Sequence, residues 1–406
     1  MNENLDFLDF LAASPSAPHA AREVERRLDF QALDATAAWE LSPGGYVLRQ
    51  GGAIIAFWIP EEVDSTSGFR IIGAHTDSPG FVLKPQPERR GAGWPQAGVE
   101  VYGGPILRSW FDRELCLAGE VVLADGSSTL VRTEPVLRIP NLAIHLDRAP
   151  EVNRQTHVQP ILTVEETSVM EVVAQAAEVA PEDIFGHWLM LADAQPGRLS
   201  GDLLAAGRLD NLTSVYAGLR ALQGAVASGE ESQDIWVLAA FDHEEVGSAS
   251  TRGAAGPLLG SVLERIADSC GLSTAPMFAR STMVSADAAH AVHPNYPEKH
   301  DSEHHPLLNH GPVTKINANQ RYASNPATVA MWRRCCAAAG VPTQVFAGNN
   351  AVPCGSTIGP ISATRLGIDT VDVGVPLLSM HSAREVCGAQ DMVWFREALE
   401  AYLINS

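Results

Sequence analysis

The stretch Trp236 to Gly247 reads W-V-L-A-A-F-D-H-E-E-V-G. Its first six residues are uninterrupted apolar, the length and type of a central strand buried on both faces. Four ionisable residues follow without a break: Asp242, His243, Glu244 and Glu245. Open α/β sheets gather their chemistry at the carboxyl ends of strands. Two adjacent glutamates repel each other unless a cation or a proton stands between them. The stretch therefore predicts a sheet that presents carboxylates to a metal pair.

Downstream and upstream patterns agree with such a sheet. Helical periodicity over 212–225, 258–267, 326–339, 356–367 and 391–404 alternates with strand-like runs at 235–241, 282–286, 343–347 and 370–374. Alternating helices and strands imply a mostly parallel sheet sandwiched by helices. On the amino-terminal side, 5–11 and 20–28 read as helices, and 46–49 with 53–59 as a hairpin bracketed by glycine pairs. The run 69–74 is a further strand leading into His75-Thr76-Asp77-Ser78-Pro79-Gly80, a sharp polar turn. From Lys84 the texture changes to Pro, Gly and charge, then to short strand-like runs at 99–102, 116–123 and 130–139 with turns suited to antiparallel pairing. A helix is expected at 170–179. The expected domains are an α/β unit formed by 1–84 plus 201–406, and an inserted β-rich unit at 85–200.

Composition narrows the functional classes. The 28 basic and 48 acidic residues give a formal charge of −20, which argues against nucleic acid and anionic membrane surfaces as partners. Six cysteines without a C-x-x-C pair suggest reduced thiols. The acidic N-terminus lacks the features of a signal peptide, and no apolar run approaches a membrane span. A cytoplasmic protein is expected.

Polar patches fall at the expected strand ends: His75 with Asp77, Glu244 with Glu245, Asp287, and His381. Asp210 stands just before a helix in G-R-L-D-N. Imidazoles and carboxylates without thiolates suit zinc or manganese in an open catalytic site. Five side chains can hold two metals about 3.5–4 Å apart when one carboxylate bridges, and one further carboxylate must stay free to take a proton from water. Each piece has a plainer reading alone. An H-x-D is commonly a surface turn, adjacent glutamates a solvated face, and aspartate before a helix a cap.

Taken in order, these segments resemble the M18 family of metallopeptidases, the aspartyl aminopeptidases. The matching stretches are G-A-H-T-D-S-P-G at 73–80, R-I-P-N-L-A-I-H-L at 138–146, G-R-L-D-N-L at 207–212 and F-D-H-E-E-V-G-S at 241–248. A-D-A-A-H-A-V-H-P-N-Y at 286–296, K-I-N-A-N-Q-R-Y-A-S at 315–324, P-C-G-S-T-I-G-P at 353–360 and M-H-S-A-R-E at 380–385 complete the set. The resemblance implies a two-metal aminopeptidase that removes N-terminal Asp or Glu from peptides, with zinc the expected metal and manganese or cobalt tolerated. His75 and Asp287 would bind one metal, Glu245 and His381 the other, and Asp210 would bridge. Glu244 would be the general base, and Asp77 would fix the tautomer of His75. Lys315 would face the acidic side chain of the substrate, and His290 and Tyr322 would contact the substrate. Alone, that lysine would read as a solvated residue of a basic loop.

His145 would enter the active site of a neighbouring subunit in a dodecamer built from dimers, the inserted unit serving dimerisation. Alone it reads as a structural histidine. The chain departs from the family at Asn349-Asn350-Ala351, where an arginine–asparagine–aspartate run is usual. The histidine-dense stretch His293, His300, His304, His305 and His310 reads as solvated or structural, and Asp242 and His243 as structural. The competing readings are a two-metal hydrolase acting on neutral N-terminal residues or acylated amino acids, and a non-catalytic assembly protein of the same fold.

Overall fold

The computed structural model describes residues 3–164, 167–230 and 232–405. The first two residues of the acidic N-terminus, and positions 165, 166, 231 and 406, lie outside them. The strand Ile235–Phe241 is buried at every position. Its side chains split by parity: Trp236, Leu238 and Ala240 enter one apolar cluster, and Ile235, Val237, Ala239 and Phe241 enter another. The period of two along a strand forces this division, and a strand with helices on both faces must be apolar at each position. Each of Ile235, Val237, Leu238 and Phe241 contributes roughly 1.5–3 kcal/mol by leaving water, and the alanines less. Leu238→Ala should therefore cost about 2–5 kcal/mol.

Among the described residues this strand belongs to a nine-stranded sheet. Its neighbours are Ala53–Ile59 and Phe69–His75, followed outward by Thr282–Ala286 and Asp369–Gly374. The four strands Ile235–Phe241, Phe69–His75, Thr282–Ala286 and Asp369–Gly374 run parallel side by side. Antiparallel pairs flank them: the expected hairpin Gly44–Gln50 with Ala53–Ile59 on one side, and Val313–Ile316 against Asp369–Gly374 on the other. Parallel pairing thus holds at the centre, is interrupted by antiparallel pairs on each side, and returns at the edges, where Gln31–Ala32 and Gln344–Ala347 each pair parallel with their neighbour. One face is covered by Glu3–Ala13, Ala17–Arg27, Leu209–Ser228, Pro326–Ala338 and Ala389–Asn405, and the other by Leu258–Ser269, Thr274–Arg280 and Ile358–Leu366. Gly218 lets the long helix Leu209–Ser228 lie close on the sheet: a Cβ there would stand 2.8 Å from Leu238 and 3.1 Å from Ile72.

A second sheet is wholly antiparallel and runs from Gly80–Gly91 to Ile184–Asp193. Ile184–Asp193 pairs with both Gly80–Gly91 and Leu115–Leu123, so the sheet closes on itself around its own apolar cluster. The Pro- and charge-rich run after Lys84 continues a long strand that is buried over 80–83; beyond Lys84 only Pro87 is buried, and 88–91 are held by pairing with 94–97. The expected strand at 130–139 divides into Ser128–Arg132 and Leu137–Arg138. The helix Val169–Ala177 is closed at its start by a capping box between Ser168 and Glu171.

A third sheet joins Arg198–Ser200, Leu203–Ala206, Glu385–Gly388, Pro376–Leu378 and Ala289–His290. These strands are too short to announce themselves in sequence. They lie beside the carboxyl edge of the four parallel strands and hold the segments around Asp210 and His381 together.

Candidate metal centre and active site

Four adjacent parallel strands end at one edge, and each delivers polar groups there. Phe69–His75 ends on His75, in register with Phe241 of its neighbour. Three residues beyond Phe241 the chain turns through Glu244–Val246. Asp287 follows Thr282–Ala286, its amide hydrogen-bonded to the Val373 carbonyl at 2.8 Å. A Cβ at Gly374 would collide with the Asp287 carbonyl, so glycine is required for this close approach. The chain after Asp369–Gly374 continues through Pro376–Leu378 to His381.

Asp210 sits at the mouth of the helix Leu209–Ser228, at a kink where it and Asn211 leave helical geometry. Its carboxylate does not cap that helix. One oxygen lies 3.5 Å from His75 Nε2 and the other 3.4 Å from His381 Nε2. Asp287 stands 3.9 Å from His75 Nε2 and Glu245 stands 3.4 Å from His381 Nε2. The group is therefore two halves, His75 with Asp287 and His381 with Glu245, joined through one carboxylate.

The imidazoles are oriented by their other nitrogens. His75 Nδ1 donates to the Asp77 carbonyl at 3.0 Å, and His381 Nδ1 donates to the Gly104 carbonyl at 3.0 Å. A carbonyl can only accept, so both rings carry a proton on Nδ1 and turn Nε2 to the cluster. The Asp77 carboxylate is 3.4 Å from His75, but its stronger partners are the Tyr102 hydroxyl at 2.8 Å and the amides of Glu244 and Glu245 at 3.1 Å. It therefore shapes the turn that presents both glutamates as well as the ring of His75.

The electrostatics of the cluster follow from burial and crowding of its carboxylates. Burial, then the Asp210 charge, holds the Glu245 carboxyl well above its ordinary range. Glu244 is pushed up to about 7, by burial and by Asp287, Asp210 and Asp77, with His75 opposing. One oxygen each of Asp210 and Glu245 is buried without a hydrogen-bond partner. Orphaned carboxylate oxygens gathered beside two imidazole Nε2 atoms form a donor set that fits divalent cations of the zinc type. His75, Asp210 and Glu245 offer ligand atoms all within 4.8 Å of one another. The histidine-dense stretch forms no comparable group among the described residues.

The cluster floors a cavity with about 290 Å³ of solvent-accessible space. It is lined by nine expected site residues: His75, Asp210, Glu244, Glu245, Asp287, His290, Lys315, Tyr322 and His381. Asp77 lies behind it, and His145 is absent from the lining. His145 stands in 141–149, a wholly exposed segment, and the cavity of this one chain does not contain it. Lys315 corrects the loop reading: it is 3% exposed and lies on the strand Val313–Ile316. Its Nζ donates to the Ala288 carbonyl at 2.9 Å, approaches Asp287 at 3.8 Å and lies 5.3 Å over the Tyr322 ring. An adjoining hollow shares His290, Tyr322, Gly355, Met380 and His381 with the cavity and adds His293, Lys299, His300 and Asn349. No Asp or Glu lines it.

Sequence reasoning missed Tyr102, Gly104 and Glu385. The first two belong to the antiparallel region and reach the site only through the fold. Glu385 closes a quoted motif, M-H-S-A-R-E, but no spacing rule marks it.

Relatives are recognisable over nearly the whole chain. The family model for aminopeptidase I zinc metalloproteases (M18) matches residues 10–403. A probable M18 family aminopeptidase 2 of Streptomyces coelicolor is 46% identical, over 98% of this chain and 96% of its own length. One of Pseudomonas putida is 44% identical over 98% and 97%. Among solved structures, the Ape4 and Nbr1 complex contains a chain superposing with a TM-score of 0.93 at 37% identity, covering 100% of this chain and 86% of that one. The S. cerevisiae mApe1 dodecamer superposes at 0.89 with 26% identity, over 99% and 96%. No helix among the described residues is long and apolar enough to cross a membrane. With the match running over nearly its whole length, the chain belongs to the M18 family of zinc metalloproteases and is a metallo-aminopeptidase.

Proposed function

We propose that this enzyme uses two divalent ions to remove N-terminal Asp or Glu from peptides. The carrying observation is the carboxylate of Asp210, whose two oxygens face two separate imidazole–carboxylate pairs. His75 and Asp287 would hold one ion, Glu245 and His381 the other, with Asp210 shared. Zinc suits this donor set, and manganese or cobalt would be accepted. The ions would polarise the scissile carbonyl and make water acidic enough to attack at neutral pH.

The chain's own groups do the rest. The carboxylate of Glu244 makes no hydrogen bond to another described residue and lines the cavity, so it is free to take the proton of the attacking water and pass it to the leaving amine. Asp77 holds the turn that carries it. Lys315, with the carboxylate-free hollow beyond His290, supplies a cationic surrounding for an acidic first residue. A second reading, a broad aminopeptidase, is favoured by the nearness of Lys315 to Asp287, which already answers part of its charge.

The unit 85–200 is proposed as a dimerisation insert, and the assembly as a dodecamer in the cytoplasm. The exposed apolar residues around His145 support an interface there. His145 would complete the cavity of a neighbouring subunit. The test is hydrolysis of N-terminal Asp, Glu, Leu and Lys substrates before and after chelation and metal return. Acidic substrates should be cleaved best and only with metal. Equal rates on Asp and Leu would replace acidic selectivity by the broad reading, and full activity after chelation would remove the metals.

A further inference from the structure

Glu385 is buried and stands behind the cluster, at the start of the strand Glu385–Gly388. One carboxylate oxygen accepts the main-chain N–H of Asp210 at 3.0 Å, and the other accepts that of His381 at 2.7 Å. The side chains of these same two residues meet in front of it at 3.4 Å. The ladder pairs Glu385 with Ala206, four residues before Asp210. One carboxylate thus grips the main chains of two groups from distant parts of the sequence whose side chains converge on one point.

We propose that Glu385 is a positioning residue of the metal centre, setting the separation and angle between the Asp210 carboxylate and the His381 imidazole. The proposal rests on the two-ion reading above. It requires that both oxygens accept, since each N–H needs its own acceptor in a dry interior. In Glu385→Gln the volume is kept, but an NH₂ group faces one of the two N–H donors. Either Asp210 or His381 is then released, and the ion they share with Glu245 is held less well.

A purely structural clamp is available for comparison. Asp391 is also a buried carboxylate that accepts two main-chain N–H groups, those of Asn309 at 2.6 Å and Gly311 at 2.8 Å. It touches none of the proposed ligands. Removing either clamp should lower thermal stability, but only Glu385 should alter the metal.

The experiment titrates the full-length apo-protein with cobalt(II), following the visible absorption bands and the bound metal after gel filtration. The proteins are the unaltered one, Glu385→Gln, Glu385→Asp and Asp391→Asn, with melting of each apo form alongside. The unaltered protein should take two ions. Glu385→Gln should weaken one of them at least tenfold and change the bands, and Glu385→Asp, whose carboxylate is one methylene short, should do the same to a smaller degree. Asp391→Asn should melt earlier with unchanged bands and affinities. Wild-type affinities and bands in either Glu385 variant that folds would overturn the proposal, as would an equal change in Asp391→Asn. If the unaltered protein takes a single ion, the two-ion reading fails, and the clamp is judged by whether that ion's affinity and bands move in the Glu385 variants.

Discussion

The metal cluster and the segment 141–149 are opposites within one chain. In the cluster, each imidazole is fixed by a carbonyl of the same chain, and Asp77, Tyr102 and Glu385 brace the groups from behind. In 141–149 every residue is exposed, and Leu142, Ile144 and Leu146 show 51%, 64% and 76% of their surface. Three large apolar side chains are left in water here, which is the observation behind the proposed interface. The cluster is complete in geometry within a single chain. The segment that carries His145 has its chemistry but no place to use it. Burial and partners, not residue type, separate the two.

The sharpest way to break the comparison is at the buried side. Glu244→Gln should keep the fold and the bound metal while lowering kcat by about 10²–10⁴-fold, the range expected for loss of a general base. Turnover near normal, with metal content measured in the same sample, would take Glu244 out of the reaction. The next largest effect belongs to the exposed side. If His145 works in a neighbouring cavity, His145→Ala should lower kcat/KM by about a hundredfold, the scale of a misplaced contact. Mixing its subunits with those of Glu244→Gln should restore part of the activity, because some cavities then receive both groups intact. No recovery on mixing would leave His145 without a role in trans.

Much of the buried side was legible in sequence. A strand buried on both faces has to be apolar throughout, so 235–241 announced itself, and with it the edge where Glu244 and Glu245 stand. His75, Glu244, Glu245 and Asp287 lie at or just beyond the ends of such strands, which periodicity can find. Tyr102 and Gly104 escaped because they act through a sheet closed by long-range antiparallel pairing, whose register no local pattern encodes. Lys315 was marked by the family resemblance and by no local pattern. Val313–Ile316 is a four-residue strand, too short to show alternation, so a buried cation looked like a loop residue. Asp210 read equally well as a cap until its oxygens were seen to face His75 and His381.

Lys315 tests the boundary between the two regions, since it is buried yet proposed to act on substrate. Lys315→Ala should lower kcat/KM for N-terminal Asp by about 10–100-fold more than for N-terminal Leu, the few kcal/mol that a fixed cation in a partly dry pocket supplies. Equal losses on both substrates would assign the lysine to its bonds with Ala288 and Asp287 instead.

The smallest expected effect on stability is the most informative about the exposed segment. Ile144→Ser removes an apolar side chain from water, and in one chain it touches no core cluster. Its cost to the folding of the subunit should therefore stay within about 0.5 kcal/mol, as at surface positions generally. Assembly should respond quite differently. If 142–146 is covered by a second copy, losing one of three apolar contacts should shift the oligomer toward smaller species at the same concentration, with the subunit's melting temperature nearly unchanged once assembly is accounted for. Sedimentation across a dilution series separates these quantities. An unchanged oligomer with an unchanged melting curve would mean that the segment is exposed in the assembly too, and His145 would then be structurally free to serve the solvent-facing surface alone.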